Sequence, residues 1–341
     1  MGYIAMWAVA LAGGGAVLMY VRPILVPLTL ALITSVLVLP IVKGLIARRV
    51  PSMVAILVGE LAALGPVLAF LGLFLATAGP VSQQLPKYQE ALVVQGNEAL
   101  AVIIERLSPA TAQEEFTRQL MEDLMPRLVT EAVSLVQQSV TGLTVFLGNL
   151  FLVFLFSTFI LLEARRFSEK IEKSFGKGTA LMTSLGRIEK HVRAYVLAKS
   201  FMSLVTALSV WAFLSVMGVD FAFFWGVLAF PLNFIPTVGA LIASVPPILL
   251  AAIDPDMSSL ASTTVLVGLT VINAVIGSYL EPRFVGRSVQ LSPLVVFLSM
   301  VVWLLLWGPM GMLLAVPIMV SVKIICSHIE GLRPVAALME P

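Results

Sequence analysis

Six stretches of this chain, 3–21, 24–42, 53–79, 142–162, 197–217 and 261–280, run with at most one charged side chain each. Few folds accept such runs. A helix rises 1.5 Å per residue, so about 20 apolar residues match the roughly 30 Å hydrocarbon core of a bilayer. Composition points the same way. Of 341 residues, 59% are hydrophobic and 12% charged, against about 45–50% and about 25% in an ordinary soluble domain. No single soluble core buries so much apolar side chain, and the same figures exclude disorder. A net charge of +2 is too small for a nucleic-acid surface. Cys326 stands alone, so an intrachain disulfide is excluded; with only two histidines beside it, a structural zinc site has almost no ligands. The first basic residue is Arg22, so 3–21 lacks the basic start of a signal peptide and is expected to be retained as a helix.

Two further apolar regions are interrupted. Residues 221–251 are broken by Pro231, Asn233, Pro236 and Gly239, leaving arms 221–232 and 239–251. Residues 293–325 are broken at Gly308-Pro309-Met310-Gly311, between arms 293–307 and 312–325. The arms of the first region, about 18–20 Å each, fall short of a crossing. Either region is a kinked span or a re-entrant hairpin.

Charge placement discriminates between these, because short Lys/Arg-rich loops stay in the cytoplasm. Loop 163–199 holds nine basic residues against four acids, and 43–52 is basic, so both are expected inside. Region 81–141 and the acidic loop 252–260 are then outside. Loop 281–292, with Arg283 and Arg287, and the tail, with Lys323 and Arg333, are inside. Both broken regions then begin and end on one side. The expected fold is an all-α polytopic membrane protein with six full spans and two re-entrant helical hairpins, both termini cytoplasmic. Its parts are a three-helix membrane region 1–80, an extracytoplasmic helical region 81–141, a fourth span 142–162, a basic amphipathic segment 163–196, a transport core 197–327 and a cytoplasmic tail 328–341.

The order span, hairpin from outside, span, hairpin from inside is that of an inverted repeat, which sets broken helices tip to tip near the midplane. Irregular backbone at that depth is tolerated where it is buried in protein or lines a wet cavity. Outside the spans, Ser108-Pro109 and Thr111-Ala-Gln-Glu114 are helix-start signals, and Phe116, Leu120, Leu124 and Leu128 form an apolar stripe. In 180–196, Leu181, Leu185, Ile188, Val192 and Tyr195 oppose Arg187, Lys190 and Arg193, as in a helix lying on the anionic inner leaflet.

Three segments, Phe230-Pro-Leu-Asn-Phe-Ile-Pro-Thr-Val-Gly239, Leu280-Glu-Pro-Arg-Phe-Val-Gly286 with Leu291-Ser-Pro293, and Trp307-Gly-Pro-Met-Gly-Met-Leu-Leu-Ala-Val-Pro317, resemble the autoinducer-2 exporter (AI-2E) family. The likeness is strongest from about Tyr195 to Lys323, and the resemblance to the quorum-signal exporter branch is close. It implies a multipass bacterial inner-membrane transporter, counted as eight transmembrane segments and similar to relatives that assemble as homopentamers. It further implies export of a small uncharged polar signal, autoinducer-2, although other members resemble sodium(lithium)/proton antiporters. By position the motif residues are Asn233, Pro236 and Gly239; Glu281, Pro282 and Gly286; and Gly308, Gly311 and Pro317. Thr237 and Ser278 depart from a pattern that often has Asn there, and each removes an amide from the expected polar region.

The candidate pathway residues are therefore Asn233, Pro236, Thr237, Gly239, Asn273, Ser278, Glu281, Gly308 and Gly311. Asn233, Asn273 and Ser278 offer neutral hydrogen bonds to a polyol, or hydrogen bonds between helices. Glu60, alone in 53–79, and Glu281 with Arg283 are candidates for sodium or proton coupling, since ionisable groups within a membrane mark ion pathways. Glu281 is expected either to pair with Arg283 or to line the inner mouth. Trp303 and Trp307 are expected to pack. No nucleotide loop, HExxH or GxSxG occurs, so no enzyme and no resident cofactor is expected. The expected partners are a small polar solute or monovalent cation, lipid, and further copies of the chain. A non-transporting scaffold using 81–141 is the remaining alternative.

Overall fold

The structure, a computed structural model, describes residues 13–107, 148–164, 166, 170, 173–174, 180–236, 238–254, 257–285 and 291–340. Thr237, Gly286, Arg287 and the helix signals at 108–128 lie outside them. Every regular element among the described residues is helical. Helical residues 13–20 lead into α1 (Arg22–Ala47), followed by α2 (Ser52–Leu107), α3 (Gly148–Ala164) and α4 (Ala180–Val216). Next come α5 (Ala222–Leu232), α6 (Val238–Ile253) and α7 (Ser259–Asn273), which continues through a π-helical segment (Ala274–Leu280) into α8 (Glu281–Phe284). The chain closes with α9 (Pro293–Trp307), α10 (Pro309–His328) and α11 (Arg333–Leu338).

Local chemistry sets several of these ends. Ser258 caps α7, its hydroxyl accepting from the Ala261 N–H at 3.2 Å. Ser292 does the same for α9 toward Val295 at 3.3 Å, with Pro293 in the first turn where a missing N–H costs nothing. Gly308 separates α9 from α10 at φ +69°, ψ −155°, a conformation essentially restricted to glycine.

Among the described residues, five helical stretches are long and apolar enough to cross a membrane: Arg22–Ala47, Ser52–Pro80, Thr183–Val216, Ser259–Phe284 and Pro309–His328. Four of them contain the expected spans 24–42, 53–79, 197–217 and 261–280 almost entirely. The fifth corrects an expectation. The second arm of the later broken region is not a short 312–325 piece. Because α10 starts directly at Pro309 and runs to His328, it has 20 residues, enough for a crossing by itself.

A second departure concerns 180–196. These residues are not a separate helix: they form the first half of α4, continuous with the span. Part of their apolar face is covered by protein: Val192 and Tyr195 are buried, while Leu185 is exposed. In the same way α2 passes without a break from the third span to Leu107.

The chain divides into two compact units: Met1–Leu68 with Phe146–Phe201 and Glu281–Pro341, and Ala69–Val145 with Met202–Leu280. In the first, Val38 and Val42 of α1, Ala55 and Ile56 of α2 and Leu161 of α3 form one core. There α9 and α10 pack on each other and on α1, and the chain end folds back. Met339 is buried, its carbonyl accepting from the Ser292 N–H at 2.9 Å, and Glu340 lies 3.4 Å from Lys323. In the second unit Phe74, Leu214, Phe224, Trp225 and Leu269 are buried together, and α5, α6 and α7 pack in sequence. Large apolar side chains such as Leu61, Leu241, Leu260, Leu294 and Leu305 point outward, a surface suited to lipid and not to water.

Candidate functional site

Each broken region is a pair of packed helices joined by a Pro/Gly turn, one in each unit. In the α5/α6 pair, Asn233 follows the last residue of α5, and Pro236 cannot continue that helix because it has no N–H to donate. The Gly239 N–H returns to the Ile235 carbonyl at 3.1 Å. A β-carbon on Gly239 would stand 1.7 Å from the Leu232 carbonyl oxygen, so only glycine lets α6 start this close to the end of α5. The α9/α10 pair repeats the device: a β-carbon on Gly311 would stand 2.1 Å from the Trp303 carbonyl oxygen.

The first turn carries a polar side chain. Asn233 is buried and donates through Nδ2 to the Ser203 hydroxyl on α4 at 3.2 Å. One helix pair further on, Asn273 of α7 donates to the Ser244 hydroxyl of α6 at 2.7 Å, and Ser244 donates to the Ala240 carbonyl at 2.8 Å. Both amides that the sequence singled out thus bind hydroxyls of neighbouring helices. Ser278 is exposed on the π segment. The second turn has no such side chain. The Trp303 and Trp307 rings pack with centroids 4.5 Å apart at a tilt of 56°, and Trp307 donates to the Leu18 carbonyl at 3.2 Å.

The buried charged side chains among the described residues, Glu60, Lys199 and Lys323, all lie in the first unit. Glu60 on α2 is fully buried and accepts from the Ser157 hydroxyl of α3 at 2.6 Å. Its other carboxylate oxygen has no hydrogen-bond partner among the described residues. Ser35 of α1 adds to this polar column, donating to the Ala31 carbonyl at 2.7 Å and lying 3.5 Å from the Ser157 carbonyl.

Glu281 does not pair with Arg283. Its partner is Lys199 of α4, 1% exposed. Arg283 is exposed two residues on, and Phe201 and Phe284 pack at 6.1 Å beside the pair. Sequence reasoning counted Lys199 among the bases of a cytoplasmic loop. The signal available was its position inside the apolar run 197–217, where a lone base needs a counter-charge. Tyr195, one turn earlier on the same face of α4, is also buried; its hydroxyl has no partner among the described residues and lies within the field of Glu281.

A further pairing was invisible in sequence. Pro40 has no N–H, so the Val36 carbonyl of α1 loses its helical donor. Arg193 of α4 supplies two, Nε at 3.1 Å and Nη2 at 2.9 Å, while Nη2 also binds Glu189 at 2.5 Å.

Long apolar helices, helices broken by Pro and Gly, and ionisable groups buried among them define an integral membrane protein of the transporter class. A family model described as AI-2E family transporter matches residues 4–331. The chain is 32% identical over 323 residues to the "AI-2 transport protein TqsA" of Escherichia coli (strain K12), covering 94% of this chain and 90% of that protein. It is 32% identical over 324 residues to the "Putative transport protein YhhT" of the same strain, covering 93% and 88%. A "Putative transport protein" of Haemophilus influenzae is 33% identical over 308 residues, covering 88% and 85%. The chain belongs to the AI-2E transporter family.

Proposed function

We propose that this protein exports a small uncharged polar solute such as autoinducer-2 across the bacterial inner membrane, by alternating access at the turns of its two broken-helix pairs. The observation that carries the reading is the repeated device: a Pro/Gly turn followed by a glycine seated on a carbonyl of the preceding helix, at Gly239 and again at Gly311. Broken helices of this kind supply backbone polar groups inside transporters. Asn233 adds a neutral side chain at one turn, which suits a polyol better than an ion. The similarity to a protein named for AI-2 transport supports the choice of solute. In this reading both pairs are re-entrant, both termini are cytoplasmic and the chain works as a homopentamer.

A second reading, sodium(lithium)/proton antiport, is favoured by one observation: Glu60 is fully buried with one carboxylate oxygen unpartnered among the described residues. One experiment separates the two. Purified protein in liposomes is given labelled autoinducer-2 and related polyols, with and without sodium and proton gradients. Solute flux in the wild type and in Glu60→Gln supports export. Cation exchange abolished in Glu60→Gln and Glu281→Gln, with no solute flux, supports antiport. Flux of neither leaves the scaffold alternative.

A further inference from the structure

Tyr195 and Lys199 lie one turn apart on the same buried face of α4, and Lys199 binds Glu281. Lys199 holds the carboxylate. The Tyr195 hydroxyl is buried and has no hydrogen-bond partner among the described residues. A buried unmade hydrogen bond costs about 1–3 kcal/mol, and a phenylalanine would fill the same space without that cost. Glu281 itself comes directly after the π segment Ala274–Leu280. A π turn carries one more residue than an α turn. Returning it to α register rotates the next helical residues, Glu281 first, by about 100°. The ammonium that binds Glu281 and the unpartnered hydroxyl therefore lie one helical turn apart on α4, and the backbone just before Glu281 holds an extra residue of slack.

We propose that Glu281 is a moving latch: it exchanges between Lys199 and the Tyr195 hydroxyl as the π segment changes register during the transport cycle. Lys199 and Tyr195 are positioning residues that act through Glu281, and neither is assigned contact with the transported species. The mechanism rests on the transporter reading, whichever species is carried. No covalent step is involved; one charge-assisted hydrogen bond is exchanged for another. In the Lys199-bound arrangement the hydroxyl waits unpaired. In the Tyr195-bound arrangement the ammonium stays close enough to Glu281 to keep the charges balanced.

The test uses the full chain with two independent readouts. The first is transport in liposomes of whichever species the wild type moves. The second is hydrogen–deuterium exchange of the peptide 274–285 in detergent, which needs no transport. Tyr195→Phe is the decisive variant. It is expected to unfold at or above the wild-type temperature, because the orphan hydroxyl is gone, yet to transport at least tenfold more slowly. It is also expected to slow exchange of 274–285, because one of the two arrangements is lost. Lys199→Met is expected to abolish transport and speed that exchange, and Lys199→Arg to restore both in part. Wild-type transport and wild-type exchange in Tyr195→Phe would overturn the latch and leave Lys199–Glu281 a static ion pair. If the wild type moves neither solute nor cation, the transporter reading fails by itself. The exchange data then decide the latch: unchanged exchange in both Tyr195→Phe and Lys199→Met overturns it.

Discussion

The two broken-helix pairs solve one packing problem in two ways. In both, a glycine three residues or fewer past the turn's proline lets the second helix start against a carbonyl of the first. In α5/α6 Asn233 sits at an ordinary φ −63°, ψ −16° and presents an amide to Ser203. In α9/α10 the reversal is concentrated in Gly308, at a backbone conformation other residues avoid, and the neighbouring side chains are tryptophans. One turn offers a polar side chain, and the other is apolar and relies on a glycine-only conformation. The difference teaches that a shared Pro/Gly pattern fixes the reversal but not its chemistry. In the export reading proposed above, the first turn is the one suited to recognise solute and the second the one that holds the chain reversal.

The comparison can be broken where the pairs are alike. Gly239→Ala and Gly311→Ala both drive a β-carbon into a backbone carbonyl, which cannot swing aside as a side chain can. Each is expected to lower stability by about 3 kcal/mol or more, read as thermal unfolding in detergent. The loss at Gly239 should be the larger, since its gap is 1.7 Å against 2.1 Å. A neutral Gly311→Ala would mean that the second pair is not closed by its glycine.

Where the pairs differ, the comparison can be sharpened. Gly308→Ala meets no atom within 4 Å, so its cost is conformational alone, about 1–3 kcal/mol, with the KM for solute unchanged. Asn233→Ala leaves the Ser203 hydroxyl without that donor. About 1–2 kcal/mol of stability and a raised KM are expected. If KM moves with Gly308→Ala and not with Asn233→Ala, the assignment of roles is reversed. The smallest effect belongs to Asn273→Ala, which removes an interhelical hydrogen bond worth about 0.6–1.7 kcal/mol. A double-mutant cycle with Ser244→Ala should recover that figure as coupling.

Much of this was open to reading in the chain itself. Four of the six apolar runs lie in helices long enough to span, because hydropathy over about 20 residues is all that a bilayer asks of a helix. Asn233–Pro236 and Gly308–Pro309 gave the reversals, because proline and glycine act on their own backbone. Glu60 stood out as a lone carboxyl, and it is indeed fully buried. Extents were harder. Nothing in 180–196 says that Val192 and Tyr195 will be buried against protein while Leu185 stays exposed, since amphipathicity names a face and not its partner.

What the sequence determined, then, was every feature whose cause lies within a few residues: helix, break, cap and the need to be in a membrane. Tertiary structure alone decided who satisfies whom. Lys199 lies 82 positions from Glu281, and Arg193 lies 157 positions from the Val36 carbonyl that Pro40 sets free. A charge or a freed carbonyl announces locally that it needs a partner. Which partner answers depends on helices brought together by packing, and no local pattern carries that information.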